Sequence, residues 1–154
     1  MLTSIIACLA VNLYFEARNE PVVGQIAVTQ VVLNRTQDPR YPDDPCDVIT
    51  QGPHVNGVPV KNKCQFSWYC DGKKDVIWAN YERTGQEIKL NAQAWRQSVE
   101  VAIWTLGYGS YRINDNTTGA LYYYAHNLVY PHWADKFEVT EIIGNHTFMR
   151  PNDQ

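Results

Sequence analysis

Apolar residues recur with helical spacing at the start of the chain. The apolar stripe consists of Leu2, Ile5, Ile6, Leu9 and Leu13. Glu16 follows on the same face of the predicted helix, so its carboxyl group points toward the core. Burial without a cationic partner disfavours the ionised form and raises the pKa of a carboxyl group. A carboxyl group that keeps its proton near neutral pH can act as a general acid, and Glu16 is therefore the predicted catalytic residue.

The end of this first helix decides whether that prediction holds. If the helix ends before Glu16, the side chain lies on a solvated last turn beside Arg18 instead. A second helix is predicted from Pro21 to about Arg35, because proline favours the first turn and apolar residues follow at helical spacing. The segment 16–21 is then a corner between two helices, where side chains can face a cleft on a rigid support.

The rest of the chain predicts short elements around one longer helix. Asp44 is expected to cap a short helix through Ile49. Turn residues at 52–63 predict an extended hairpin or flap. Apolar residues at helical spacing predict a helix over residues 91–107. Aromatic and β-branched runs predict two strands, over residues 120–125 and 139–148. No repeat or linker interrupts the 154 residues, so residues 1–154 are predicted to form a single domain.

Composition narrows the classes of partner. The formal charge is −3 and no basic run follows the chain, so nucleic acid is not an expected partner. Asn12 and Glu16 interrupt the opening apolar stretch, which is too short for a membrane span and lacks the basic region and cleavage site of an export signal. Five Trp and ten Tyr are many for a core of this size. Such rings pack in cores, but they also line grooves that stack on sugar faces.

The four cysteines leave the redox compartment open. Cys8 lies inside the first predicted helix and is expected to be a packed thiol. Cys46, Cys64 and Cys70 cluster in a loop-rich stretch, where Cys64 and Cys70 could close a short loop as a disulfide or remain free thiols.

Metal and nucleophile patterns are weak in this chain. There is no CxxC pair, and the spacings of His126, His132 and His146 match no common ligand pattern. No Gly-x-Ser-x-Gly segment marks a nucleophilic serine either. We therefore expect neither a metal nor another cofactor.

A glycosidase with two carboxyl groups needs a second Asp or Glu across the cleft from Glu16. If the chain is still helical at Glu20, that residue flanks Glu16 on the same face, and its like charge would help to keep Glu16 protonated. Glu20 could equally be a solvated carboxylate. The alternative chemistry needs one carboxylic acid, which protonates the glycosidic oxygen and then acts as a base while a group of the substrate captures the developing cation. A single well-placed glutamate fits this alternative better.

The segment from Gln65 to Trp68 offers candidate substrate-binding side chains. In an extended conformation Gln65 and Ser67 share one face of the chain. Phe66 and Trp68 then pack behind, or one of them stacks on a sugar ring. A buried strand with one polar edge is the alternative.

The three consecutive tyrosines at residues 122–124 are a second candidate. They cannot all face inward, so at least one hydroxyl should point to solvent or into a ligand groove. Ordinary packing remains the alternative for Tyr123 and Tyr124.

Five segments of the sequence are informative as an ordered set. They are Asn12–Pro21 (NLYFEARNEP), Gly24–Val28 (GQIAV), Val31–Arg35 (VVLNR), Cys64–Trp68 (CQFSW) and Ile143–Phe148 (IGNHTF). In this order they resemble the SleB/CwlJ-type cell-wall hydrolases, the family of spore cortex-lytic enzymes that also occurs in other bacteria and in phages. The resemblance spans about residues 4–150. Asn19 stands where the family commonly has Gly, and because Asn adopts left-handed backbone conformations readily, we expect the corner to be kept.

The resemblance implies an α+β fold, mainly α, which is a lysozyme-like domain with a small β element. It implies cleavage of peptidoglycan glycan strands, with the first Glu of the motif, here Glu16, as acid and base. The expected substrate-binding residues are Glu20, Gln65, Ser67, Trp68, Tyr123 and Tyr124.

The expected activity is that of a lytic transglycosylase at the bond after N-acetylmuramic acid. A hydrolytic muramidase, an amidase that cuts the stem peptide and a non-catalytic wall-binding module are the alternatives. The protein is expected to act as a monomer on the cell wall, which it would reach by a route other than an export signal of its own.

Overall fold

The computed structural model describes residues 2–77, 85–108 and 114–152. The helices are α1 (Leu2–Ala17), α2 (Val22–Thr36), α3 (Pro45–Ile49) and α4 (Gly85–Gly107). The strands are β1 (His54–Val55), β2 (Val58–Pro59), β3 (Tyr122–Ala125), β4 (Phe137–Ile143) and β5 (His146–Pro151). Short 3-10 helices cover Ser67–Cys70 and Ala134–Lys136. The fold is therefore mainly α with small β sheets, as the sequence predicts.

Helix α1 lies at the centre of the helical core. The helix contacts α2, α3 and α4, and Leu9 and Leu13 of its apolar stripe are fully buried. Burying a leucine side chain contributes roughly 1.5–3 kcal/mol, so these contacts fix the rotation of the helix about its axis. The helix continues to Ala17, which is also buried. Glu16 thus lies in the last helical turn, and the alternative in which the helix ends before it is wrong.

A sharp corner joins α1 to α2. Pro21 stands directly before α2 with φ −60° and ψ 157°, and it lacks the N–H that the first turn would leave unpaired. The predicted start and end of α2 are confirmed to within a residue or two. The capping role of Asp44 is confirmed as well, because its Oδ1 accepts a hydrogen bond of 2.8 Å from the backbone N–H of Cys46.

The larger sheet has the antiparallel order β3-β5-β4. The strand predicted over residues 139–148 is in fact two strands, because the chain turns at Gly144, where φ is +58° and glycine is favoured. Its β-branched and aromatic residues stand on both sides of that turn, which is why the run has the character of one strand. The strand predicted over 120–125 is confirmed as β3.

The smaller sheet is a hairpin of β1 and β2. Asn56 and Gly57 form its turn with φ of 51° and 77°, as two-residue hairpin turns require. This confirms the hairpin predicted over 52–63. Helix α4 begins at Gly85 instead of residue 91. Among the described helices, none has the length and apolar character needed to cross a membrane.

Two disulfides link the four cysteines of the chain. Cys64 pairs with Cys70 and closes the loop that carries residues 65–67. Cys8 pairs with Cys46, so the prediction that Cys8 is a packed thiol is wrong. This pair forms because α1 and α3 lie side by side and bring the two Cα atoms within 5.4 Å, although the residues are 38 apart in sequence.

Candidate active site

A groove passes over the end of α1, and Glu16 lies in its wall. One part, the corner lobe, has a volume of about 390 Å³ and is lined mainly by residues 15–20 with Asn145. The other part, the aromatic lobe, has a volume of about 540 Å³ and is lined mainly by Arg35, residues 65–67, residues 122–125 and Trp133. Both lobes share Glu16, Ala125, Leu128 and His146. Glu16 therefore stands where the two lobes meet.

The environment of Glu16 favours the protonated carboxyl group. Burial raises the pKa of Glu16 from 4.5 to about 7, and the positive charge of Arg35 opposes this rise. The side chain as a whole is partly buried, and it lines both lobes of the groove. Among the described residues, no hydrogen bond to that carboxyl group contributes to its pKa. An acid of this kind is populated in both protonation states near neutral pH.

Arg35 is a buried cation in the aromatic lobe. Its side chain emerges from the last turn of α2, and its Nε donates a hydrogen bond of 2.8 Å to the carbonyl oxygen of Leu121. The guanidinium carbon lies 5.1 to 5.6 Å from the centres of three aromatic rings, those of Tyr41, Phe66 and Tyr122. Aromatic faces attract a cation at such distances. These contacts hold a positive charge near Glu16 without a carboxylate partner among the described residues.

Glu20 lies beyond the end of α1, so it does not continue the helix face of Glu16. Its Oε1 accepts a hydrogen bond from the backbone N–H of Asn145, and its Oε2 accepts one from the Nδ2 of the same residue, both at 2.9 Å. Nδ1 of His146 lies 3.4 Å from Oε1. Burial alone would raise the pKa of Glu20, but the hydrogen bonds from Asn145 outweigh it and lower the pKa. The expectation that Glu20 keeps Glu16 protonated is therefore wrong, because burial does so.

The predicted loop residues divide between the groove and the core. Gln65 and Ser67 are exposed and line the aromatic lobe on either side of buried Phe66. Trp68 lies behind the groove wall, where its Nε1 donates a hydrogen bond of 2.8 Å to Oδ1 of Asn12. Its ring also stacks on Phe15 with a centroid distance of 5.1 Å. Trp68 thus supports the helix that carries Glu16.

The tyrosines of β3 all line the aromatic lobe. Tyr124 packs edge-on against Trp133 with ring centroids 5.9 Å apart. Tyr123 packs edge-on against His146 at 5.1 Å. The hydroxyl of Tyr123 is buried and has no hydrogen-bond partner in the described residues.

Sequence reasoning missed several residues that shape the groove. They are Arg35, Leu128, Trp133, Asn145 and His146. Arg35 closes the segment VVLNR, and Asn145 and His146 lie in IGNHTF, so the family-like segments did carry a signal for three of them. Leu128 is 82% exposed on the loop after β3, and no sequence pattern marks it.

Comparison with solved structures identifies the fold. The chain is similar to the catalytic domain of the germination-specific lytic transglycosylase SleB from Bacillus anthracis, with a TM-score of 0.60 and 25% identity over 95% of this chain and 93% of that one. It is also similar to the catalytic domain of the Bacillus cereus SleB protein, with a TM-score of 0.56, 24% identity, and coverage of 96% and 91% of the two chains. The predicted lysozyme-like fold is thereby confirmed.

Sequence comparisons agree with this assignment. The chain is 32% identical over 96 residues to the spore cortex-lytic enzyme of Bacillus subtilis, a match that covers 62% of this chain and 27% of that protein. It is 50% identical over 44 residues to the spore cortex-lytic enzyme of Halalkalibacterium halodurans, a match that covers 29% of this chain and 13% of the relative. The matched segments thus span about a quarter or less of the length of these relatives.

The Cell Wall Hydrolase family matches residues 19–149. This range contains the whole groove apart from the last turn of α1, and Glu16 lies just before it. The match covers most of the chain, and so the chain belongs to the Cell Wall Hydrolase family.

Proposed function

We propose that this domain is a lytic transglycosylase that cuts the glycan strands of peptidoglycan. Glu16 donates its proton to the glycosidic oxygen of the bond after N-acetylmuramic acid, and the bond from that oxygen to C1 breaks. The resulting carboxylate then removes the proton of the sugar's own C6 hydroxyl as its oxygen bonds to C1. This closes a 1,6-anhydro ring and returns Glu16 to its protonated form. The carrying observation is a single carboxyl group of raised pKa at the junction of the two lobes.

The pKa of Glu16 suits both halves of this reaction. An acid catalyst must hold a proton at the working pH, and the base that follows must be able to accept one. At a pKa of about 7 the two forms are nearly equally populated near neutral pH. A carboxyl group with its ordinary pKa of 4.5 would be almost fully ionised there.

The second carboxyl group of the groove supports a transglycosylase over a hydrolase. Of the described residues that line the two lobes, only Glu16 and Glu20 carry a carboxyl group. A hydrolase of the two-carboxylate type uses its second group to activate water or to attack C1. Both oxygens of Glu20 already accept hydrogen bonds from Asn145. With Glu20 engaged in this way, the nucleophile comes from the substrate itself.

The groove offers binding contacts on both sides of Glu16. In the aromatic lobe, Tyr124 and Trp133 present ring surfaces that suit the faces of sugar rings. Gln65 and Ser67 offer an amide and a hydroxyl for the polar substituents of the same sugars. Glu20 binds substrate indirectly in this proposal, because it holds the corner that lines the other lobe. Contact of Trp68 or Tyr123 with a sugar remains a prediction.

The comparisons support the same activity. The Bacillus anthracis structure is described as a lytic transglycosylase, and the curated relatives are spore cortex-lytic enzymes. The two disulfides are typical of proteins that work in an oxidising compartment. We therefore infer that the domain acts on the wall outside the cytoplasm, and we expect it to work as a monomer.

Mass spectrometry of the soluble products from purified peptidoglycan tests the proposal. The wild type should release anhydro-muropeptides, and Glu16→Gln should release none, because the amide cannot donate the required proton. Glu100→Gln is the matched control, since Glu100 is exposed on α4 and does not line either lobe; it should retain wild-type activity.

The other products would contradict the proposal in different ways. Reducing-end sugars would indicate a hydrolytic muramidase, and free stem peptides whose release stops with a chelator would indicate a metal-dependent amidase. Binding of glycan strands without turnover in either form would indicate a wall-binding module. Full activity of Glu16→Gln would show that another residue is the acid.

A further inference from the structure

Gln65 lies between a buried cation and the open side of the aromatic lobe. Nη1 of Arg35 donates a hydrogen bond of 3.5 Å to Oε1 of Gln65. Arg35 is only 4% exposed, whereas Gln65 is exposed and lines the lobe. A guanidinium group can only donate hydrogen bonds, so the amide atom that faces it is the oxygen. The amide nitrogen of Gln65 therefore lies on the side away from Arg35.

The guanidinium group of Arg35 is held from several directions. Its Nε donates the hydrogen bond to the carbonyl oxygen of Leu121, and the three aromatic rings around its carbon atom attract its charge. Because these contacts fix the position of the cation, they also fix which way the amide of Gln65 is turned.

The backbone of Gln65 is fixed as well. Its N–H donates a hydrogen bond of 3.0 Å to the carbonyl oxygen of Gln51. On one side lies the disulfide between Cys64 and Cys70, and on the other lies buried Phe66. Both ends of the Gln65 side chain are therefore anchored, which lowers the entropy cost of using it to bind a ligand.

The amide nitrogen of Gln65 is the part left for a ligand. Among the described residues, none accepts a hydrogen bond from Nε2 of Gln65. The contact of its oxygen with a cation polarises the amide and strengthens the N–H groups as donors. With the oxygen engaged, this end of the side chain can only donate, and its natural partner is an oxygen that can only accept, such as a carbonyl.

We propose that Gln65 is a specificity-determining residue: Nε2 donates a hydrogen bond to the carbonyl oxygen of an N-acetyl group of the glycan strand, and Arg35 is the positioning residue that turns this donor toward the strand. This inference rests on the proposed function, since both sugars of peptidoglycan carry an N-acetyl group. The rings of Tyr124 and Trp133 in the same lobe suit the apolar methyl of that group. A strand without acetyl groups carries protonated amino groups there, which can only donate, so the site selects acetylated strands.

Binding of soluble glycan strands to Glu16→Gln, measured by isothermal titration calorimetry, tests this selection without cleavage of the ligand. One set of strands is fully N-acetylated, and the other is chemically N-deacetylated. The ratio of the two Kd values measures the discrimination. A residue with a merely structural role would not change this ratio. We expect the protein with Gln65 to bind the acetylated strands more tightly.

Two substitutions at Gln65 separate the donor from the side chain's shape. Gln65→Met keeps the length and removes the donor, so discrimination should fall by about 3- to 10-fold. Gln65→Glu keeps the oxygen that faces Arg35 and turns a second oxygen toward the ligand. It should lower the discrimination by more than about tenfold, because a carboxylate repels the acetyl carbonyl and attracts an ammonium group.

Both variants should fold, because Gln65 is exposed, and Gln65→Glu also keeps an acceptor for Arg35. The Tm of Gln65→Glu should equal or exceed that of the parent protein. Gln93→Glu is the matched control, since Gln93 is exposed on α4 and lines neither lobe. It adds the same charge and should leave the discrimination unchanged.

The outcomes separate this inference from the proposed function. Wild-type affinity of Gln65→Glu for acetylated strands would show that an acceptor faces the ligand, and it would overturn the orientation assigned to the amide. Equal losses of affinity for both strands in Gln65→Met would overturn the recognition of the acetyl group. Either result leaves the transglycosylase proposal standing, which the products of the wild type test, whereas products other than anhydro-muropeptides would overturn that proposal and leave the binding measurements valid.

Discussion

Glu16 and Glu20 stand four residues apart on opposite sides of the end of α1, and their environments shift their pKa values in opposite directions. Glu16 lies in the last turn of the helix, and burial raises its pKa to about 7. Glu20 stands on the corner, where the hydrogen bonds from Asn145 overcome burial and lower its pKa. The comparison shows that hydrogen-bond donors decide which carboxyl group is an acid and which is a structural anchor.

The largest effect should come from exchanging each carboxyl group for an amide. Glu16→Gln is expected to lower kcat by about 10²- to 10⁴-fold, because it removes the general acid. Glu20→Gln should cost less than about tenfold, since its side-chain oxygen can still accept one hydrogen bond from Asn145. Turnover of purified glycan strands measures both. Equal losses of kcat in the two variants would contradict the different roles assigned to the two carboxyl groups.

A smaller effect should appear in the pH dependence of stability. Between pH 4.5 and about 7 the folded protein keeps a proton on Glu16 that the unfolded chain has lost. The stability of the wild type should therefore fall as pH rises through this range, by about 1–3 kcal/mol after allowance for solvent in the groove. Glu16→Gln has no ionisable group at this position, so its stability should not show this fall.

Denaturant titrations of the wild type and Glu16→Gln at pH 4.5 and pH 8 measure this difference. The variant should gain about 1–3 kcal/mol relative to the wild type on going to the higher pH. A gap that stays constant between the two pH values would show that the pKa of Glu16 is not raised by folding.

The contact between the corner and the turn before β5 can be tested at Gly144. A Cβ added there would lie 3.0 Å from Oε1 of Glu20, and φ is +58°. Gly144→Ala should cost about 1–2 kcal/mol of stability from backbone strain, and more from displacement of the carboxylate. Gly119→Ala is the matched control, because its φ is +78° but its nearest neighbour is an arginine nitrogen at 3.7 Å. Equal costs would show that the turn does not hold Glu20.

The smallest effect is expected for Asn145→Ala. The substitution removes the hydrogen bond from Nδ2 to Glu20 and leaves the one from the backbone N–H. We expect a loss of about 1–2 kcal/mol at neutral pH. Because the lowered pKa of Glu20 contributes stability only while the carboxylate is ionised, the loss should shrink as pH falls below the ordinary value of 4.5. Thermal unfolding at pH 7 and pH 3 measures it, and an equal loss at both would contradict this account.

Local sequence signals predicted the elements that carry the site. The stripe that ends in Glu16 follows from helical periodicity, and Pro21 and Asp44 mark the starts of α2 and α3 through their own backbone chemistry. These features depend on neighbouring residues only. For the same reason they say little about what Glu16 meets across the groove.

The features that the sequence did not reveal depend on residues that are distant along the chain. Cys8 meets Cys46 only because α1 and α3 pack together, and Arg35 approaches Glu16 only through the packing of α2. Gly144 did carry a local signal, since Gly-Asn is typical of turns. Its proximity to Glu20 depends on the packing of the turn before β5 against the corner after α1, and no local pattern predicts that packing.

The hydrogen bonds between Glu20 and Asn145 join residues 125 apart in sequence. While the chain is still being synthesised, α1 exists before the strand that completes the corner. Residues of β3 and β5 line the groove beside Glu16, so the burial that raises its pKa depends on both ends of the chain. A chain that stops before β3 should therefore lack the raised pKa of Glu16 and, on the proposed function, its activity.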